Sequence, residues 1–180
     1  MAESTVGHNR VRDTMGCLCG ESDPATAVEV VGLCPKDLRL RPADVLTRAL
    51  HPTLVIAADV GIRAPHAKDV TDEPLRDMRV TKMEKYAEHR QDLLDQGIMY
   101  EPIIFSAYGR AETRANELLK LAAAKAARQR GMASSTGLLK WWRRQIAAEI
   151  WRRAARMVHA CLPRTRKWDD TGWEDGEDEV

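Results

Sequence analysis

Two aspartates, Asp44 in Arg41-Pro42-Ala43-Asp44 and Asp59 closing the apolar run Leu54-Val55-Ile56-Ala57-Ala58, fall on neighbouring strand-like segments that deliver both acids to one edge. Carboxylates at adjoining strand positions can hold one or two Mg²⁺ (or Mn²⁺) ions, which make a hydroxide nucleophile and neutralise the charge that builds on a phosphodiester under attack. Such chemistry also calls for a cation near the attacking water. Thr81-Lys82-Met83-Glu84-Lys85-Tyr86 offers Lys82 and Lys85, three apart on a helix, and the sequence leaves open which of them enters the site. The bland alternative is that an Asp ending a buried strand serves as a turn or cap residue, accepting local backbone hydrogen bonds.

The elements that must position these groups follow from periodicity. Val11 and Met15, four apart, predict a short helix over His8 to Met15 that Gly16 and Gly20 break. Ala27 to Leu33, β-branched and bounded by Pro24 and Pro35, reads as a first strand. Asp44-Val45-Leu46, opened by Pro42, is a second. Thr53 to Val60 is a third, and its uninterrupted apolar centre implies burial on both faces. Gly61 to Asp77, with Pro65, His66, Asp69 and Pro74, reads as a long loop. Met78 to Gln96 is predicted as one helix with Met83, Tyr86, Leu93 and Leu94 inward, stopped by Gly97, before a fourth strand over Ile98 to Ala107. Two helices close the pattern. Ala111 to Arg130 is rich in Ala and Leu, and Leu138 to Leu162 carries the stripe Leu139, Trp142, Ile146, Ile150, Ala154 and Met157. Helix, three strands, helix, strand and two helices make an α/β sandwich.

At 180 residues the chain fits one domain with a real core. It has no apolar run long enough to span a bilayer and no basic-then-apolar leader, so a soluble intracellular protein, nuclear or cytoplasmic and not secreted, is expected. In that setting Cys17, Cys19, Cys34 and Cys161 are read as reduced thiols. Zinc held by Cys17, Cys19 and Cys34 with His8 or His51 is disfavoured, because one residue rather than two separates the first pair. A net charge of +1 hides segregation: residues 110–167 carry fifteen Lys or Arg against Glu112, Glu117 and Glu149, while residues 168–180 carry seven acids and no base. A basic block can steer and neutralise a polyanion, or it can be a solvated face whose arginine stems cover apolar surface.

In their order, these segments resemble the restriction-enzyme-like endonuclease domain of site-specific non-LTR retrotransposon proteins, within the PD-(D/E)xK nuclease superfamily. Gly7-His8-Asn9-Arg10-Val11-Arg12-Asp13 looks like the family's opening helix, Arg41-Pro42-Ala43-Asp44 like its Arg-Pro-x-Asp motif, and Ala58-Asp59-Val60 like its second acidic position. Lys82-Met83-Glu84-Lys85-Tyr86 is similar to the lysine-and-tyrosine helix that follows, and Ile103 to Gly109 to the strand and aromatic-Gly turn after it. The superfamily's usual Asp/Glu-x-Lys would place lysine at position 61, where this chain has Gly61; in the retrotransposon members the lysine looks displaced onto the next helix.

The resemblance implies a restriction-endonuclease-like core over 7–109 and a basic helical pair packed on it over 110–163, and composition alone predicts an acidic disordered tail over 164–180. It implies a target-nicking DNA endonuclease in which Asp44 and Asp59 bind the metal, Lys82 or Lys85 serves the attacking water or the phosphate, and Tyr86 supports the site or touches DNA. His8 points toward the site or merely caps the helix. Double-stranded DNA is the expected partner, with element RNA or a separately supplied reverse transcriptase beside it, since the chain has no room for a polymerase domain. The rivals are a catalytically inactive nucleic-acid-binding remnant and a helical interaction module presenting Trp141, Trp142 and Trp151.

Overall fold

Helix α1 spans Glu3–Gly20, well past the predicted end at Met15. Gly16 does not break it: a Cβ there would lie 2.6 Å from Val28 Cγ1, so this glycine lets the helix approach the sheet closely. The structure, a computed structural model, describes residues 3–64 and 72–161. His66, Asp69, the end of the last helix at Leu162 and Pro163, and the acidic tail lie outside the described residues.

Strand β1 (Ala27–Val30) is shorter than the predicted Ala27–Leu33 and is exposed on the sheet margin. Glu29 already has a positive φ of 52°, and Gly32 follows at 77°, so the chain leaves extended geometry early. Strands β2 (Ala43–Thr47) and β3 (Val55–Arg63) come next. β3 runs three residues beyond Val60, which corrects the expected loop start at Gly61, because Gly61, Ile62 and Arg63 pair with Ile104, Phe105 and Ser106. The far side of that expected loop is also helical: α2 (Pro74–Lys85) begins with Pro74, whose missing N–H costs nothing in a first turn.

The single predicted helix over Met78 to Gln96 is divided. α2 ends at Lys85, a 3-10 turn covers Ala87–His89, and α3 (Arg90–Asp95) restarts in a new phase that buries Leu93 and exposes Leu94. Gly97, at a φ of 73°, then turns the chain into β4 (Ile98–Ser106). Last come α4 (Thr113–Gln129) and α5 (Thr136–Cys161).

The chain is therefore mixed α/β, with a four-stranded mixed sheet and five α-helices among the described residues. Strand order is β1-β2-β3-β4, antiparallel through β3, with β4 parallel to β3. A parallel pair needs a crossover, which α2 and α3 supply. β3 sorts its side chains by alternation. Ile56, Ala58 and Val60 join the larger core with α1, α4 and α5, while Ala57 joins Tyr86, Leu93 and Tyr100 under the crossover. α4 contributes a face of Ala115, Leu118, Leu119, Ala122, Ala123, Ala126 and Ala127, where small residues permit close packing.

α5 buries Leu138, Trp142, Ile146 and Ile150 at a spacing of four. Leu139 is only partly buried, and Ala154 and Met157 are exposed, so the predicted stripe shifts by one residue at its start and stops at Ile150. Of the adjacent tryptophans, Trp142 is buried and Trp141 exposed, as their neighbouring positions on a helix require.

Candidate active site

Antiparallel register brings the two aspartates together. Val45 pairs with Ala58 and Leu46 with Ala57, so Asp44 and Asp59 each sit one residue beyond the last paired positions of β2 and β3. Val60 N–H donates to Asp44 Oδ2 at 2.8 Å, fixing the β2 carboxylate against β3. His8 Nε2, arriving from α1, lies 3.3 Å from the same oxygen. Burial pushes the Asp44 carboxyl up, but the hydrogen bond and charge of His8, the Val60 N–H and the charge of Lys82 outweigh it and hold the group below the usual carboxylate range.

Asp59 is the more buried acid, and both its oxygens are engaged. Lys82 Nζ donates to Oδ1 at 2.5 Å, and the Tyr100 hydroxyl donates to Oδ2 at 2.7 Å. Burial raises the Tyr100 phenol far above its ordinary range, and the charge of Asp59 and the bond to it add to the effect, so the phenol stays a donor. Lys82 is thus the lysine that reaches the acids. Lys85 is exposed, with its ammonium 5.0 Å from the Tyr86 ring centre.

Gly61 makes room for this arrangement. It lies two residues beyond Asp59 on the same face of β3, and a Cβ built on it would come within 3.0 Å of Lys82 Cε and of Met78 Cε. The stem of the helix-borne lysine therefore occupies the space that a side chain at position 61 would fill.

Tyr86 is a supporting residue. It is 3% exposed, its hydroxyl donates to the Arg41 carbonyl at 3.2 Å, and its ring meets that of Tyr100 at a centroid distance of 4.6 Å. This locks the end of α2 to the segment that delivers Asp44, and it removes Tyr86 from the outer surface where DNA contact was one of its expected roles. Solvent nevertheless reaches the acids and the lysine: side-chain exposures are 23% for Asp44, 11% for Asp59 and 22% for Lys82.

Tyr100 carries no motif in the sequence. Only the alternation Ile98, Tyr100 along β4 points to it, and the parallel register pairing it with Ala57 is what sets it beside Asp59. Glu101, 4% exposed on the opposite face, is also unforeseen. It receives Arg79 Nη2 at 2.6 Å and Arg114 Nε at 3.5 Å, tying α2 and α4 to the outer strand.

The donor set is oxygen from two acids. Among the described residues no group of three or more His, Cys, Asp or Glu side chains is placed to hold a metal. Cys19 and Cys34 are buried in separate clusters on opposite faces of the sheet, and Cys17 is exposed. Two carboxylates still fit a hard cation such as Mg²⁺, which binds through one or two carboxylates and keeps several waters. A carboxylate oxygen has two lone pairs, so Asp59 Oδ1 can accept from Lys82 and still face a cation. No described helix is long and apolar enough to cross a membrane. No protein-family model matches the chain, and neither a curated protein nor a solved structure matches it.

Proposed function

We propose that this chain is a divalent-metal-dependent endonuclease that nicks double-stranded DNA, with a restriction-endonuclease-like core derived from a retrotransposon protein. One observation carries the reading: Lys82 Nζ, from the crossover helix, meets Asp59 at 2.5 Å, one residue past the Val45–Ala58 pair that brings the strand of Asp44 alongside. The sequence of elements, a helix, a three-strand antiparallel meander, a helical crossover and a fourth strand, supports the reading.

Asp44 and Asp59 would hold Mg²⁺ or Mn²⁺, which supplies a hydroxide nucleophile and neutralises charge on the phosphate. Tyr100 holds Asp59 Oδ2, and Lys82 donates to Oδ1, whose second lone pair would be the one offered to the cation. The Val60 N–H and His8 hold Asp44 Oδ2 in the same way. The Lys82 ammonium, on a flexible stem, orients the attacking water or stabilises the charge of the five-coordinate phosphate. Water adds to phosphorus, the phosphorus–oxygen bond to the 3′ side breaks, and the released 3′ hydroxyl is an end that a polymerase can extend.

Conversion of supercoiled plasmid to open circle in Mg²⁺ tests the proposal. The parent chain nicks, and Asp59→Asn and Asp44→Asn do not. Equal nicking by the parent and Asp59→Asn sinks it. Salt-sensitive DNA binding without any nicking by the parent favours the inactive remnant instead.

A further inference from the structure

Tyr108 and Trp151 are the two most exposed aromatic residues among those described, at 64% and 61%. They belong to one surface. Trp151 Nε1 donates to the Tyr108 carbonyl at 3.3 Å, which ties α5 to the turn after β4. Gly109, at a φ of 82°, brings that turn onto α5 one helical turn before Trp151: a Cβ there would lie 2.6 Å from Ala147 Cβ.

Arginines line the clefts beside the Tyr108 turn. Arg110 and Arg143 line a cleft of about 330 Å³ behind the turn, and Arg63, Arg110 and Tyr108 line another of about 260 Å³ in front of it. α5 itself carries six Lys or Arg against Glu149 alone. Aromatic faces offer stacking to any base and arginines offer charge to phosphates, a combination that suits an unpaired nucleic-acid strand. An apolar protein partner has no use for the surrounding positive charge, and a closed duplex has no bare base face to offer the rings.

We infer that Tyr108 and Trp151 form a stacking platform for unpaired bases of single-stranded DNA, with Arg63, Arg110 and Arg143 taking its phosphates. Its place relative to the acids deepens the endonuclease reading and, in that respect, rests on it. Arg63 ends β3 four residues beyond Asp59, about 13 Å along the strand, so the arginine side of the platform lies at the same end of the sheet as the acids. Affinity for an unpaired strand does not depend on that reading.

Fluorescence anisotropy of a labelled twelve-residue oligothymidylate, titrated with the full chain in metal-free buffer, tests the inference. The parent binds, and affinity falls with salt. Trp151→Ala and Tyr108→Ala each weaken binding about five- to 150-fold, the measured range for loss of one base stack, while Trp151→Phe retains most of it. Duplex of equal length changes less than about threefold in the same variants, since phosphate contacts carry it. Asp59→Asn binds oligothymidylate as the parent does while losing nicking, which separates failure of the platform from failure of the nuclease reading. The inference is overturned if the parent ignores oligothymidylate, if both alanine variants bind it as the parent does, or if duplex and single strand weaken equally.

Discussion

If the stem of Lys82 fills the space beside Asp59 that a side chain at position 61 would take, a lysine at 61 should be able to replace it. Lys82→Ala removes the ammonium 2.5 Å from Asp59 Oδ1. Loss of one preorganised charge-stabilising donor costs about 10²- to 10³-fold in rate, and nicking should fall by that factor. A Cβ at Gly61 lies 3.0 Å from Lys82 Cε, and Nζ is one bond of about 1.5 Å further, so the vacated ammonium position is at most about 4.5 Å from that Cβ. A lysine's four bonds from Cβ to Nζ span about 5 Å, enough to reach it. Gly61→Lys alone should be harmful, because its Cβ would meet Ile104 Cδ1 at 2.8 Å as well as Lys82 and Met78. In the double variant Gly61→Lys/Lys82→Ala the Lys82 stem is gone, and Met78 and Ile104 present only flexible ends. The double variant should therefore nick at least tenfold faster than Lys82→Ala, the non-additivity expected of residues that share one space and one partner. The assay is plasmid relaxation in Mg²⁺ at matched protein concentration, with thermal melts to confirm folding. Undiminished nicking by Lys82→Ala refutes the role given to Lys82. A folded double variant no faster than Lys82→Ala refutes the shared space.

Three further outcomes follow from the packing. Gly7→Ala, which helix propensity alone would favour by about 1 kcal/mol, should instead destabilise by about 1–3 kcal/mol, because its Cβ would lie 2.2 Å from Arg153 Cγ and 2.8 Å from Arg153 Cβ. Gly137→Ala meets nothing within 4 Å near the start of α5 and should stabilise by about 0.5–1 kcal/mol; thermal melts giving both variants the same sign would refute the crossing of α1 and α5. Glu101→Gln leaves Arg79 and Arg114 facing a neutral amide, and urea unfolding should register a loss of about 1–3 kcal/mol, below the cost of about 3–5 kcal/mol for a fully buried pair because both arginines are partly exposed. The Tyr100 phenol is raised by burial and by Asp59, so its contribution is fully present below the unfolded value of about 10 and declines as pH rises above it. Cys19, pushed up to about 12 by burial, declines over an overlapping range but is present in both proteins compared. The melting temperature of Tyr100→Phe should therefore fall less between pH 9 and 11 than that of the parent, and equal slopes would refute the buried phenol.

Both acids were legible because apolar runs on either side of a short connection set their strands, and antiparallel register did the rest. Their partners were not. Glycine is ambiguous in sequence: Gly16 and Gly61 look like interruptions, yet each lies inside an element where a neighbour comes too close for a Cβ. The division of the crossover at Tyr86 left one trace, the absence of any inward aliphatic residue between Tyr86 and Leu93, and the period of the flanking residues overrode it. Helix phase over a sheet is a tertiary property. Lys82 rather than Lys85 faces Asp59 because the Tyr86 hydroxyl is tied to Arg41, a contact between residues 45 apart in the chain that no local pattern encodes.

Topology explains how a lysine on the crossover comes to reach Asp59. Once β4 pairs parallel to β3, the connection must cross a face of the sheet, and a helix of twelve residues such as α2 spans about 18 Å, more than the distance from Asp59 to the end of β3. Begun near the end of β3, α2 is long enough to reach back over Asp59, and Lys82 sits on the turn that does. A cation on that turn needs only a gap beneath it, and glycine is the one residue whose absent side chain supplies the gap without interrupting the ladder from Val55 to Arg63. Gly61 and Lys82 thus constrain each other more tightly than either is constrained by its sequence neighbours. A variant that enlarges residue 61 while keeping Lys82 should lose the ion pair with Asp59 before it loses the fold.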